Sequence, residues 1–261
     1  MEMIFAKEKN PATTAPYVSL STNHKAYEVG TKVTPSYEFS FNPGSYEFGP
    51  ATGVTPSSYS ITATNKLVTV ETINSDTYPT TSPVKGTMDS EVEVQDDTNY
   101  YLTVTVGHGA GVTPKTNLDN DYSDGIIAAG TAARSSGALT GYRAFFYGMD
   151  ASGAVLNSEF IRGNLINGGA YNGSKTLTFT ASELEGVKRF LIAIPASSVR
   201  GGVTSATITS SMNADATSDY ILLQDTVNVE GANGYSEVPY KIWVYEPASI
   251  ASTEVHSVVL N

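Results

Sequence analysis

The chain has 261 residues, no cysteine and a formal net charge of −11, with a sequence pI near 4.6. The missing cysteine excludes disulfides, thiolate metal sites and cysteine nucleophiles, and a field of this sign attracts neither a nucleic-acid backbone nor an anionic membrane. The length predicts two domains of ordinary size. No apolar run approaches the length of a membrane span, and MEMIFAKEKN at the start has acids and lysines where a signal peptide needs an apolar stretch, so synthesis in the cytoplasm without membrane insertion is expected.

Residues 1–16 show no period and end in NPATTAP, which reads as an extended arm. Its apolar tip, with Met3, Ile4 and Phe5, is a candidate docking element, because such a cluster is poorly accommodated in water. From Tyr17 the pattern changes to short β-like runs, KVTPSYEFSF, SSYSITAT and KLVTVETI, divided by turn-rich stretches such as NPGSYEFGP. EVEVQ (91–95) and YYLTVTV (100–106) alternate strictly, so that Val92 and Val94, then Leu102, Val104 and Val106, share buried faces. The polar DDTN between them predicts a hairpin. These features predict an immunoglobulin-like β-sandwich from residue 17 to about residue 110.

The stretch 109–125, GAGVTPKTNLDNDYSDG, is long for a connection inside a compact domain, and reads either as a linker or as a functional loop. Its acids Asp119, Asp121 and Asp124 are the chain's candidate calcium ligands, since hard cations want several carboxylate oxygens. The spacing departs from an EF-hand loop: the glycine comes one place late and no glutamate closes it. The domain division predicted is therefore an arm at 1–16, a sandwich with its loop at 17–125 and a second unit at 126–261.

In that second unit KTLTFT (175–180) alternates, whereas RFLIAIP (189–195) is apolar on both faces and predicts a central strand covered from both sides. YILLQDTVNVEG (220–231) and PYKIWVYEP (239–247) form a long pair around the turn GANGYS, and only TASELEGVKR (180–189) has a helix-like start. The tail ASTEVHSVVLN alternates as a final edge strand or one that adds to a neighbour's sheet. These runs predict a C-terminal β-sandwich or jelly-roll-like domain, and hence an all-β chain of two sandwiches.

Motifs of chemistry are sparse. His24, His108 and His256 are widely separated and sit in no ligand or nucleophile motif, and His108 continues the face of Leu102, Val104 and Val106 as an ordinary hydrogen-bonded histidine. No nucleophile elbow, phosphate loop, dinucleotide fingerprint or zinc-protease motif is present, so no catalytic residue and no cofactor beyond the calcium candidates is predicted. Carboxylates are plentiful enough to keep a glycoside-cleaving depolymerase in view, and the tyrosines could stack on sugar rings.

The segment GYRAFFYGMD (141–150) puts Tyr142, Ala144 and Phe146 on one face and Arg143, Phe145 and Tyr147 on the other, so neither face is plainly solvent-like. A buried strand or a subunit interface fits, which makes Tyr142, Arg143, Phe145, Phe146 and Tyr147 interface candidates. This stretch, with SEFIRGNL (158–165), GVKRFLIAIPAS (186–197) and VNVEGANGYSEVPYKIWVYEPAS (227–249), resembles a group of virion structural proteins of tailed bacteriophages, including the crAss-like phages of gut bacteria. The segment from Ala26 to Thr64 is similar to the N-terminal module of that group. The resemblance implies a non-enzymatic tail, baseplate, fibre or capsid-attached component that assembles as a symmetric homo-oligomer with other virion proteins. It transfers no functional residues. The competing expectation is a carbohydrate-binding or adhesin module that holds a bacterial surface glycan.

Overall fold

The structure is a computed structural model and describes residues 7–180, 183, 189–198, 202–246 and 254–260. Met3, Ile4 and Phe5 lie outside the described residues, as does most of the helix-like start at 180–189. The architecture is all-β and sandwich-like. In the N-terminal part the strands are β1 (Thr13–Thr14), β2 (Tyr17–Thr22), β3 (Ala26–Glu28), β4 (Lys32–Val33), β5 (Ser36–Asn42), β6 (Ser45–Tyr46), β7 (Pro56–Asn65), β8 (Val68–Ser75), β9 (Val84–Thr87), β10 (Val92–Glu93) and β11 (Asn99–His108). They continue as β12 (Gly130–Ser135), β13 (Leu139–Tyr142), β14 (Ala144–Asp150), β15 (Ile166–Ala170), β16 (Lys175–Thr180), β17 (Arg189–Pro195), β18 (Val203–Ile208), β19 (Ala214–Asp215), β20 (Tyr220–Val229), β21 (Val238–Tyr245) and β22 (Val255–Leu260). A single short α-helix among the described residues, α1 (Ser158–Asn164), sits between β14 and β15.

Two compact units interleave along the chain: Met1–Lys25, Lys32–Val92 and Thr98–Thr140 form the first, and Ala26–Thr31, Glu93–Asp97 and Gly141–Asn261 the second. β12, which follows residue 125, belongs to the first unit and pairs with β11 from Thr103 to His108.

In the first unit β5 lies between β2 and β9, and β11 lies between β7 on one side and β12 and β13 on the other. The alternation read from 100–106 is realised: Tyr100, Leu102, Val104, Val106 and His108 are buried, and the residues between them are not. Phe39 of β5 meets Tyr59 of β7 at 5.3 Å between ring centroids, which joins the two sheets through their aromatic side chains. The expected hairpin between 91–95 and 100–106 does not form. Val94 exchanges backbone hydrogen bonds with Gly30 and Thr31 instead. A period of two fixes which face is buried but not which strand lies alongside, and a polar tetrapeptide serves a crossing as well as a turn.

The long stretch 109–125 is a strap within the first unit. Gly109 and Val112 donate backbone hydrogen bonds to Thr55 and Thr52, and the Tyr46 hydroxyl donates to the carbonyl of Val112. The strap also receives the described part of the arm. Asn117 accepts from the Lys9 amide at 2.7 Å through Oδ1 and donates to the Lys7 carbonyl at 3.1 Å through Nδ2. Glu47 then accepts from Lys9 Nζ and the Ala12 amide, and β1 pairs with β6. Residues 7–14 thus dock in cis.

The second unit has three layers. Its middle layer is a five-stranded antiparallel sheet in the order β15–β14–β17–β21–β20. One face packs against the sheet β16–β22–β18–β19, and the other against α1. β17 is central and apolar on both sides for that reason: Phe190, Ile192 and Ile194 fill the core between the sheets, while Leu191 and Ala193 fill the core under α1. The C-terminal tail is not an edge. β22 runs between β16 and β18 and buries His256, Val258 and Leu260, so its alternation marks an interior strand with one wet face. The helix falls at 158–164 because Asn157 caps it, its side chain accepting from the Phe160 amide at 2.8 Å. Seven residues are too few to show a helical period in the sequence.

Two arginines bind the segments borrowed from the N-terminal half into this unit. Arg143 holds Asp96 through two hydrogen bonds of 2.7 Å, donates to the Ser236 carbonyl and lies over the Tyr235 ring. Arg162 donates to Glu28 at 2.6 Å and to the Glu230 carbonyl, while the second oxygen of Glu28 accepts from Asn167. Backbone closeness tightens both joins: a Cβ on Gly30 would stand 2.0 Å from the Ala232 carbonyl oxygen, and one on Gly141 would stand 2.1 Å from that of Gln95. Glu28→Leu should lower stability by about 2–3 kcal/mol, short of the full cost of breaking a buried pair because Arg162 keeps some solvent. A shift of the urea midpoint with an unchanged slope checks it.

Candidate functional site

The structure answers what GYRAFFYGMD is for. Phe145 and Phe146 are 2% and 1% exposed and point into opposite cores, Phe145 between the sheets and Phe146 under α1. Ala144 shares the face of Phe146 and Tyr147 that of Phe145, as the alternation requires. The phenylalanine rings are thus taken up inside the unit and offer no surface to a partner. Arg143 is likewise engaged, its side chain 7% exposed. Burial works against its charge and the Asp96 carboxylate more than offsets this, so the guanidinium holds its proton more firmly than an ordinary arginine.

Only Tyr142 and Tyr147 of the five candidates keep partial exposure besides the edge of Arg143. Tyr142 and Arg143 line a cleft of about 200 Å³ with Asp96, Tyr171, Asn172 and Ser197. The carboxylate of Asp96 is half exposed at its mouth. The cleft therefore combines ring carbons with carboxylate, amide and hydroxyl groups. Trp243 is not among its lining residues; it packs, partly buried, against the core between the sheets.

The three acids of the strap are not brought together as a cage. Asp121 pairs with Lys115 Nζ at 2.7 Å, Asp119 takes a left-handed backbone with φ of 65°, and Asp124 lies exposed in a single 3₁₀ turn. Among the described residues no group of three or more acids or histidines could hold a metal ion. Other carboxylates gather at an open cleft of about 690 Å³ beside α1, where Glu159, Glu230 and Glu237 stand with Arg162, Gln224 and Asn228.

Two surface features escaped sequence reasoning. Leu67, at the tip of the β7–β8 hairpin, is 96% exposed with φ of 67°, and Met212, in the turn before β19, is 98% exposed with φ of 53°. Left-handed turn positions suit glycine or asparagine; a large apolar side chain there gains neither comfortable backbone nor burial. Further exposed apolar residues are Val68 and Val70 on β8, next to Leu67, and Ile221, Leu222 and Leu223 on β20. β8 and β20 each end their sheet. The signal available beforehand was KLV at a turn, where a hairpin normally carries Asn-Gly.

Each of the three histidines contacts neighbouring groups within its own unit. His108 Nδ1 bonds the Gly109 carbonyl and its ring packs on Phe41; His24 bonds the Gly137 carbonyl. His256 is fully buried on β22, stacked on Phe179 at 5.0 Å, with Tyr220 at 3.4 Å from Nδ1 and Glu254 at 3.8 Å from Nε2. No helix among the described residues is long and apolar enough to cross a membrane. In comparisons with known proteins the chain matches no family model, no curated protein and no solved structure.

Burial holds His256 below the ordinary histidine value, although Glu254 pulls the other way. The unfolded chain then takes up a proton that the folded one refuses, so this stability is complete above the ordinary value and is lost as the pH falls below it. Asp150 adds a second loss at lower pH: burial would raise it, but hydrogen bonds from Ser152 and Arg189 hold it below the usual carboxylate value. His256→Phe should flatten the decline in urea midpoint between about pH 7 and about pH 5. His24, also held low by burial, leaves a residual slope.

Proposed function

We propose that the chain is a non-enzymatic assembly protein, a structural component of a bacteriophage particle built through contacts between copies and with neighbouring virion proteins. The observation that carries this reading is the pair of apolar turn tips, Leu67 in one unit and Met212 in the other, each almost fully exposed in a backbone conformation that disfavours it. A monomer gains nothing from either residue, whereas an assembly gains apolar area buried at each contact. The resemblance of segments 141–150, 158–165, 186–197 and 227–249 to tailed-phage virion proteins gives the assembly its setting, and with it a virion location. On the same reading the first unit is an immunoglobulin-like sandwich and the second a jelly-roll-like one, both common in particles that must persist outside a cell.

The cleft at Asp96, Tyr142, Tyr171 and Asn172 supports a second reading, a subsite for a surface sugar. Ring carbons suit the apolar face of a pyranose and the carboxylate and amide suit its hydroxyls. Titrating the protein with galactose, glucose and N-acetylglucosamine, followed by NMR shifts of residues 142, 171 and 172, tests it. Saturable shifts lost in Asp96→Asn support the subsite, and flat titrations with all three sugars remove it.

The assembly reading is tested by light scattering across a wide concentration range. A defined oligomer whose mass falls in the double variant Leu67→Asp, Met212→Asp is the expected result. A wild-type protein that stays monomeric throughout overturns assembly by self-contact.

A further inference from the structure

We infer that β8 is the edge at which a second copy of this chain adds, in antiparallel register, to the large sheet of the first unit. This rests on the assembly reading above and names the occupant of one of its surfaces. β8 is the last strand of its sheet, and among the described residues nothing pairs with its outer side. Natural sheet edges are guarded by lysines, prolines, inward charges or covering loops. Between Leu67 and Ser75 this edge has no lysine and no proline, and its single charge, Glu71, is already engaged: its carboxylate accepts from the backbone amides of Asp89 and Ser90 at 2.9 and 3.1 Å.

Its other exposed groups are the polar Thr69, Thr72 and Asn74 and, at the turn end, apolar side chains. Leu67, Val68 and Val70 are 96%, 65% and 52% exposed and stand within four residues of one another at the hairpin tip. The register with β7 slips between Thr69 and Glu71, which leaves Val70 with no opposite residue on that side. Such a bulge bends the strand and in many proteins serves to discourage pairing. Here it falls on a valine that is itself exposed, so it turns apolar surface outward.

The stretch is also self-complementary. A two-fold axis through Thr69 would lay Val68 against Val70 of the second copy and Val70 against its Val68, with the two Thr69 residues side by side. In that register Glu71 falls opposite Leu67 and Thr72 opposite Lys66, both residues of the left-handed turn, so no like charges meet. An unrelated peptide would satisfy the backbone equally, but not this reciprocity, which is what an isologous contact requires. β20 is the weaker candidate for strand addition, because its register with β21 slips twice, at Leu222–Gln224 and at Gln224–Val227, and its outer backbone is broken accordingly.

The test compares the full-length wild type with Val70→Lys and, separately, with Met212→Lys, using sedimentation velocity over a range of concentrations. Val70→Lys should weaken dimerisation at least about tenfold while Met212→Lys leaves it intact. Hydrogen exchange on the wild type reads the same contact without a variant: amides of residues 68–72 should gain protection as concentration rises. Association that survives Val70→Lys with no concentration-dependent protection on β8 overturns the pairing while leaving assembly through another surface in place. A monomer at every concentration, with β8 amides exchanging freely, overturns both.

Discussion

The second unit depends on two guanidinium–carboxylate contacts. Arg143 on Asp96 and Arg162 on Glu28 hold short segments that come from far upstream in the chain, and each arginine spends a further donor on a nearby carbonyl, of Ser236 and of Glu230. A guanidinium suits the task because its fixed fork of donors can grip a carboxylate with two parallel bonds and still reach a backbone oxygen. Taken alone, such pairs contribute little net stability, since desolvating the charges offsets most of the attraction. Their effect here is one of choice: residues 26–31 and 93–97 have one place in this unit where their acids are satisfied. The second unit therefore cannot be complete without sequence from the first half of the chain.

Arg189 repeats the device further inside. It holds Asp150 at the end of β14 and reaches the Ala154 carbonyl, while Ser152 and Gly153 donate to the same carboxylate. In a chain of net charge −11 most of the described acids are exposed. Arg143, Arg162 and Arg189 are instead used against particular acids, so these three cations organise joints within the second unit.

What could be read from the sequence divides along a physical line. The inward faces of β11, β16 and β17 and the β20–β21 pair were legible because burial imposes a period on side chains regardless of partner. Partnership was not legible: 91–95 joins residues 30–31 rather than 100–106, and β22 is interior rather than an edge. Those outcomes are decided by contacts between residues tens to hundreds of positions apart, which leave no local trace. The aromatic strand illustrates both halves. Its two-faced apolar character was plain from GYRAFFYGMD, but an apolar pair of faces is the same whether a second sheet, a helix or another subunit covers it, and here Phe145 and Phe146 are covered from within.

The surfaces that remain carry the argument about function. Long-range repulsion between chains of charge −11 opposes indiscriminate association, and salt limits its reach to roughly a Debye length of 8 Å. A contact that overcomes it must be short-ranged, apolar and geometrically particular, which describes an edge strand better than a broad greasy patch. β8 meets that description: backbone groups supply direction, Val68 and Val70 supply area, and Glu71, the charge that would otherwise guard the strand, is bound to Asp89 and Ser90. Leu67 then has a reason to occupy a turn position that glycine or asparagine would fill with less strain. The strain is tolerable in the monomer because it is confined to two residues, Lys66 and Leu67, at an exposed tip, and burial of Leu67 offsets it wherever a neighbour covers that tip.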